Sequence, residues 1–244
     1  MSRDNDFSHC ERTRARVQPP LWHSRRVHFG RVRRAVFDLF HACQSLSEGG
    51  VLYDYGCGGM PYRSELEPRL TRYLGIDLPE NDLADVAVEA IGAVGLPDSE
   101  ADVVLSTQVL EHVPDPHAYL CEAWRLLKPG GSLILSTHGL FKYHPDPTDY
   151  WRWTESGLAL QLQRAGFEVV RSKRDFGLMS AGLYIVQDSM LRALRLRALR
   201  VAPALVFQSL VTLTSWLERF KRTGDAMTWI VLARRVESSY EEAH

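Results

Sequence analysis

The stretch Ser136-Thr137-His138-Gly139-Leu140-Phe141-Lys142-Tyr143-His144-Pro145-Asp146-Pro147-Thr148-Asp149-Tyr150-Trp151-Arg152-Trp153 holds an unusual density of side chains that handle protons or present flat apolar faces. Histidine takes a proton near neutral pH, and an aspartate can orient its ring. His144 and His138 are therefore the candidate general bases, with Asp149 beside them as a candidate catalytic acid group. Tyr150, Trp151 and Trp153 offer surfaces of the kind that pack on a sugar ring. Plainer roles compete at each position: His138 follows an apolar run and could be a core histidine, Asp146 and Asp149 could cap turns, and the tryptophans could anchor the loop. The spacing of His144, Asp146 and Asp149 fits no standard metal loop, and no metal is expected.

A second constellation lies earlier. The apolar run Val51-Leu52-Tyr53-Asp54-Tyr55 feeds the turn Gly56-Cys57-Gly58-Gly59, and the next strand-like run, Tyr73-Leu74-Gly75-Ile76, ends in Asp77. A glycine turn lets backbone approach a ligand closely, and a carboxylate closing the following strand can accept both hydroxyls of a ribose. The pair points to a nucleoside cofactor. A dinucleotide fingerprint would place a third glycine where Pro61 stands, which counts against that class.

Asp54, Gly56, Gly58 and Asp77 resemble the first two motifs of class I S-adenosylmethionine-dependent methyltransferases of the type 11 kind. The runs Ala101 to Asp115 and Lys128 to Thr137 resemble the fourth and fifth strand regions of the same family, in its order and spacing. The resemblance implies S-adenosylmethionine as cofactor, held by Asp54, Tyr55, Gly56, Gly58, Asp77, Leu78, Gln108 and His112. Glu89 would stand in for the adenine-contacting acid, whose aligned position is about Ala90. The Tyr-His-x-Asp-Pro and Asp-Tyr-Trp-Arg-Trp elements at 143–153 are similar to methyltransferases of glycan and surface-polysaccharide biosynthesis. This implies methylation of a sugar or glycan-precursor hydroxyl. Another small-molecule acceptor (carboxyl, nitrogen or carbon) and a non-catalytic scaffold are the alternatives.

These residues need an α/β frame to bring them together. Residues 1–20 read as a mobile basic arm and 21–244 as one domain. Val32, Ala35, Val36, Leu39, Phe40, Cys43 and Leu46 recur at helical spacing before the stop at Gly49-Gly50. A helix follows the glycine turn from about Pro61 to Glu67, and the third strand falls at Ala84 to Val88. Thr154 caps a helix to Ala165, Phe167 to Val170 is a strand, and Met227 to Arg234 is the last. The family resemblance makes this a Rossmann-like sandwich: a mostly parallel seven-stranded sheet with an antiparallel last strand. A helical insertion at about 174–226 interrupts it. Within it, Ser189 to Phe220 is apolar with interspersed arginines and reads as a lid, a homodimer interface or a peripheral membrane contact.

Composition bounds the rest. With 244 residues, 45% hydrophobic residues and a formal net charge of -1, the chain suits a globular α/β protein. No nucleic-acid motif accompanies its arginine clusters, so the expected partner is a small-molecule or glycan acceptor. Cys10, Cys43, Cys57 and Cys121 have neither disulfide-framework nor zinc spacing. The polar N-terminus leads to a cytoplasmic expectation, at the inner face of the membrane if the apolar segment docks there.

Overall fold

The structure, a computed structural model, describes residues 17, 19–20, 23–43, 49–89, 93–145, 148–194, 197–220 and 224–236. The arm expected over 1–20 lies outside these apart from Val17, Pro19 and Pro20, as do Leu46, Ala90 and Asp146.

Helix α1 (Arg26–His41) buries Val32, Val36, Leu39 and Phe40 along one stripe, which packs on Leu52, Val103, Leu105 and Ile134 of the sheet. It starts earlier than the apolar spacing suggests, with His28 buried in its first turn. The strands are β1 (Val51–Tyr55), β2 (Arg72–Asp77), β3 (Val86–Ala87), β4 (Ala101–Thr107), β5 (Leu127–His138), β6 (Phe167–Arg174) and β7 (Thr228–Arg235). They form one sheet in the order β3-β2-β1-β4-β5-β7-β6, in which β7 runs antiparallel to both of its neighbours. The expected seven-stranded arrangement is the observed one.

The order reverses between β1 and β4. In such sheets a crevice opens at that point, beyond the carboxyl ends of the strands. The glycine turn leaves β1 there, and Gln108 follows β4 there. The opposite face is covered by α3 (Pro116–Leu126) and α4 (Glu155–Arg164), whose Leu120, Ala123, Leu158 and Leu162 pack with Tyr53, Leu133 and Leu135. Asp115 caps α3 by accepting from His117 N and Ala118 N, and Thr154 caps α4 by accepting from Gly157 N.

Two local expectations need correction. The third strand is only Val86–Ala87, because only Ile76 and Asp77 of β2 have partners there. The helix after the glycine turn is a single turn, α2 (Arg63–Leu66), that tightens into a 3-10 turn at Glu67–Arg69. The insertion comprises α5 (Leu178–Ala193), a 3-10 turn (Arg197–Arg200) and α6 (Val201–Glu218). Phe176, Ala181, Tyr184, Val211 and Met227 make its own small core.

Candidate functional site

Gly56 (φ 79°) and Gly58 (φ 51°) take left-handed backbone, and Gly56 N and Cys57 N both donate to Ile76 O, at 2.8 and 3.0 Å. These bonds lash the turn to β2. A Cβ on Gly56 would lie 2.3 Å from Val109 Cγ2, so glycine is required there for packing; beside Gly58 nothing lies within 4 Å, so its backbone faces open space. Asp77 Oδ2 accepts from Gly58 N (2.7 Å) and Asn81 Nδ2 (2.8 Å), and Oδ1 accepts from Leu78 N (2.8 Å). Asp77 therefore stands at the turn, with the exposed apolar side chain of Leu78 next to it. Asn81, which also donates to Gly58 O, went unremarked in the sequence. Its own side-chain oxygen caps the turn at Leu83 N.

Two expected cofactor ligands sit behind the turn instead. Asp54 is buried, with Oδ2 accepting from the Tyr73 hydroxyl and Oδ1 without a partner, and burial pushes its carboxyl up to about 7. Tyr55 points to the other face of the sheet and stacks on Tyr119 with ring centroids 4.2 Å apart. Both stiffen the strand that delivers the glycines. The carboxylate of Glu89 lies against Gly95, next to the Val88–Val94 bridge.

Beyond Gln108 the crevice deepens into a cavity. Its walls are Arg25, His28, Phe29 and Val32 from the start of α1, Pro61 and Tyr62 after the glycine turn, Thr107, Gln108, Glu111 and His112 after β4, His138, Phe141 and His144 from the β5 end, and Tyr184 of α5. Gln108 is held at φ 59°, a costly backbone state for a residue with a side chain, and Gln108 Oε1 is buried without a partner. The open face at Gly58 and the orphan oxygen of Gln108 suit a polar ligand laid along this edge.

His138, His144 and His112 meet in the cavity, with ring centroids 6.4 Å apart for the first two and 6.0 Å for the last two. His112 Nδ1 donates to Thr148 O at 2.5 Å. His138 is buried, and its Nδ1 lies 3.3 Å from Glu111 Oε1. Glu111 Oε2 accepts from Thr137 Oγ1 at 2.8 Å, which fixes the carboxyl. Burial raises the Glu111 carboxyl and holds the His138 imidazole well below its usual range, an effect that the nearby His28 and Arg152 reinforce. Both shifts favour the neutral forms, and a neutral ring is what a proton acceptor requires. His138 Nδ1 and Glu111 Oε1 make no hydrogen bond with each other, and a ring that carries its proton on Nδ1 leaves Nε2 to take a substrate proton.

A second imidazole-carboxylate pair lines the other wall. His28 Nδ1 donates to Asp175 Oδ2 at 2.5 Å, while Arg31 Nε donates to Asp175 Oδ1 at 2.7 Å. The sequence gave no signal for it, since 147 positions separate the two residues.

Asp149 does not orient an imidazole. Its carboxylate accepts from the backbone N of His144 (2.7 Å) and, on both oxygens, from the Arg152 guanidinium at 2.5 Å. Arg152 in turn donates to Phe141 O and Lys142 O, and Lys142 pairs with Asp188 of α5. Asp149 is thus the brace of the histidine loop. We expect Asp149→Ala to lower unfolding free energy by about 1.5–3 kcal/mol, the range for a hydrogen-bonded charged group, in a urea titration. Trp153 packs on the core and Trp151 Nε1 donates to Val113 O, so neither forms a cavity wall; Phe29, Tyr62, Phe141 and Tyr184 do. Among the described residues of the insertion, Tyr184 alone lines the cavity, and those of 189–220 add no wall to it, contrary to the lid expectation. Among the described residues no cluster of histidine, cysteine, aspartate or glutamate is arranged to hold a metal.

Residues 53–135 match the family model of a methyltransferase domain. A methyltransferase domain thus covers residues 53–135 of the chain. This domain is 40% identical over 98 residues to a ubiquinone biosynthesis O-methyltransferase of Methylococcus capsulatus, a stretch covering 34% of this chain and 41% of that one. The chain spans about half the length of the curated relatives it matches. Two solved structures share the fold at low identity. The cyclase SpnF has a TM-score of 0.55 at 21% identity, over 85% of this chain and 81% of that one. The 1,6-didemethyltoxoflavin-N1-methyltransferase of Burkholderia thailandensis, solved with bound 1,6-didemethyltoxoflavin and S-adenosylhomocysteine, has a TM-score of 0.53 at 19% identity, over 84% and 78%. The methyltransferase family match ends at Leu135, so the histidine loop, α5 and α6 lie beyond it.

Proposed function

We propose that the protein transfers a methyl group from S-adenosylmethionine to a hydroxyl of a small acceptor, with a sugar or glycan precursor the leading class. The observation that carries the reading is the junction of the glycine turn, braced by Asp77, with a cavity in which His138 backs onto Glu111. The bound cofactor would supply an electrophilic methyl group on sulfur. Asp77 would hold its ribose, and the open backbone face at Gly58 would admit it without a clash. His138, or His144 beside it, would take the acceptor's hydroxyl proton as the oxygen–carbon bond forms and the sulfur–carbon bond breaks. Holding the oxygen in line with the methyl group supplies much of the acceleration, up to about 7–11 kcal/mol in model reactions.

The aromatic walls favour a second acceptor class, a phenolic ring. The ubiquinone-biosynthesis relatives point the same way. Thermal-shift titration with S-adenosylhomocysteine tests the cofactor half, since a ligand of the folded state raises its melting temperature. Screening sugar nucleotides against catechols with radiolabelled cofactor tests the acceptor half. Label on catechols alone would replace the sugar reading. Binding without label on either class would favour a scaffold role or a different acceptor atom.

A further inference from the structure

Most of the large apolar side chains that the described residues leave exposed lie on α5, α6 and the turn between them. On α6 they form a continuous outer face, including Leu205, Val206, Leu210, Leu213, Trp216 and Phe220, and only 28% of that helix is buried. Its inner face is fastened to the domain. Gln208 Nε2 donates to His23 O, Thr214 bonds Ser180, and the buried Glu218 accepts from Ser180 Oγ and Met179 N. An α6 of about 27 Å is long enough to cross a membrane, but crossing would carry these bonded polar groups into hydrocarbon. A helix so tethered can only lie flat.

Charge decides what it lies on. From Asp188 to Asp225 the sequence has Arg192, Arg195, Arg197 and Arg200 before α6 or at its start, and Arg219, Lys221 and Arg222 after it, against the acids Asp188, Glu218 and Asp225, of which Asp188 pairs with Arg192. The whole chain carries a formal charge of -1, so this basic excess is local. A second copy docking on the same face would oppose like charges in either orientation, because both ends of the helix are cationic. An anionic lipid surface matches both the ends and the face, and Trp216 suits the headgroup boundary.

We propose that the outer face of α5 and α6 docks the protein on anionic membranes, with α6 lying in the plane of the surface. This inference does not depend on which acceptor is methylated, and Tyr184 of α5 places the docked face next to the cavity.

The test is sedimentation of the full chain with vesicles of phosphatidylcholine alone and of phosphatidylcholine mixed with phosphatidylglycerol. Binding should be confined to the mixed vesicles and should fall by about tenfold or more when salt rises from about 0.1 to 0.5 M, which shortens the Debye length. Val206→Glu and, separately, Trp216→Ser should each weaken binding about tenfold or more while the melting temperature holds, because both side chains point outward. No vesicle binding, or binding unaffected by these substitutions, overturns the proposal. So does a wild-type dimer in sedimentation velocity that Val206→Glu dissociates without any vesicle association.

Discussion

Asp77→Ala is expected to lower affinity for S-adenosylhomocysteine by at least about 100-fold. Two hydrogen bonds to a charged acceptor are worth about 1.5–3 kcal/mol each, and every 1.4 kcal/mol is about a factor of ten. A second effect adds to this one. Gly58 N and Asn81 Nδ2 both rest on Asp77 Oδ2, so losing the carboxylate also releases the turn that would receive the cofactor. Asp77 closes the strand without filling the core, so circular dichroism should show the fold retained. Calorimetry with S-adenosylhomocysteine gives the answer, and unchanged affinity would remove Asp77 from the site.

His138→Ala should cut turnover by about 10²–10⁴, the usual cost of losing a general base, with cofactor affinity nearly unchanged. The pH profile carries a sign. Burial lowers the His138 pKa from 6.5, so the ring is already neutral at pH 7 and the acid limb of kcat/KM should fall below pH 6.5. An acid limb above pH 6.5 would assign the base to another group. Wild-type rates for both His138→Ala and His144→Ala would leave proximity alone to account for the chemistry.

The cofactor half was legible because its signals are local. A glycine turn after an apolar run, and an acid closing the next strand, are fixed by backbone geometry within a few residues, and Gly56, Gly58 and Asp77 stand where that logic puts them. The acceptor half depends on distances that no spacing encodes. The sequence offers Asp149 an imidazole and a backbone amide at similar separations, and only the folded loop shows that it takes the amide of His144 and the Arg152 guanidinium. Nothing in the neighbourhood of Glu111 in the sequence ties it to His138, and only the end of β5 brings the two within 3.3 Å. His28 and Asp175 meet only because α1 crosses the end of β6, so neither carried any local mark of function. Trp153 looked like a sugar platform by type and became a core residue by burial.

The position of β7 bears on how the protein is made. It is the last strand among the described residues, yet it lies inside the sheet, pairing β5 from Ser132 to His138 and β6 from Phe167 to Arg174. During synthesis β1 to β5 can assemble first, while β6 has no strand to join until Thr228–Arg235 leaves the ribosome. Asp175 N donates to Thr228 O and Met227 N to Phe176 O, so the carboxylate that serves His28 is anchored by the same late event. A nascent chain could therefore own its cofactor turn before it owns its acceptor wall. Until then the edge of β5 stays open to pairing with a neighbouring chain, which makes the final strand the guard against aggregation as well as the closing step of the catalytic architecture.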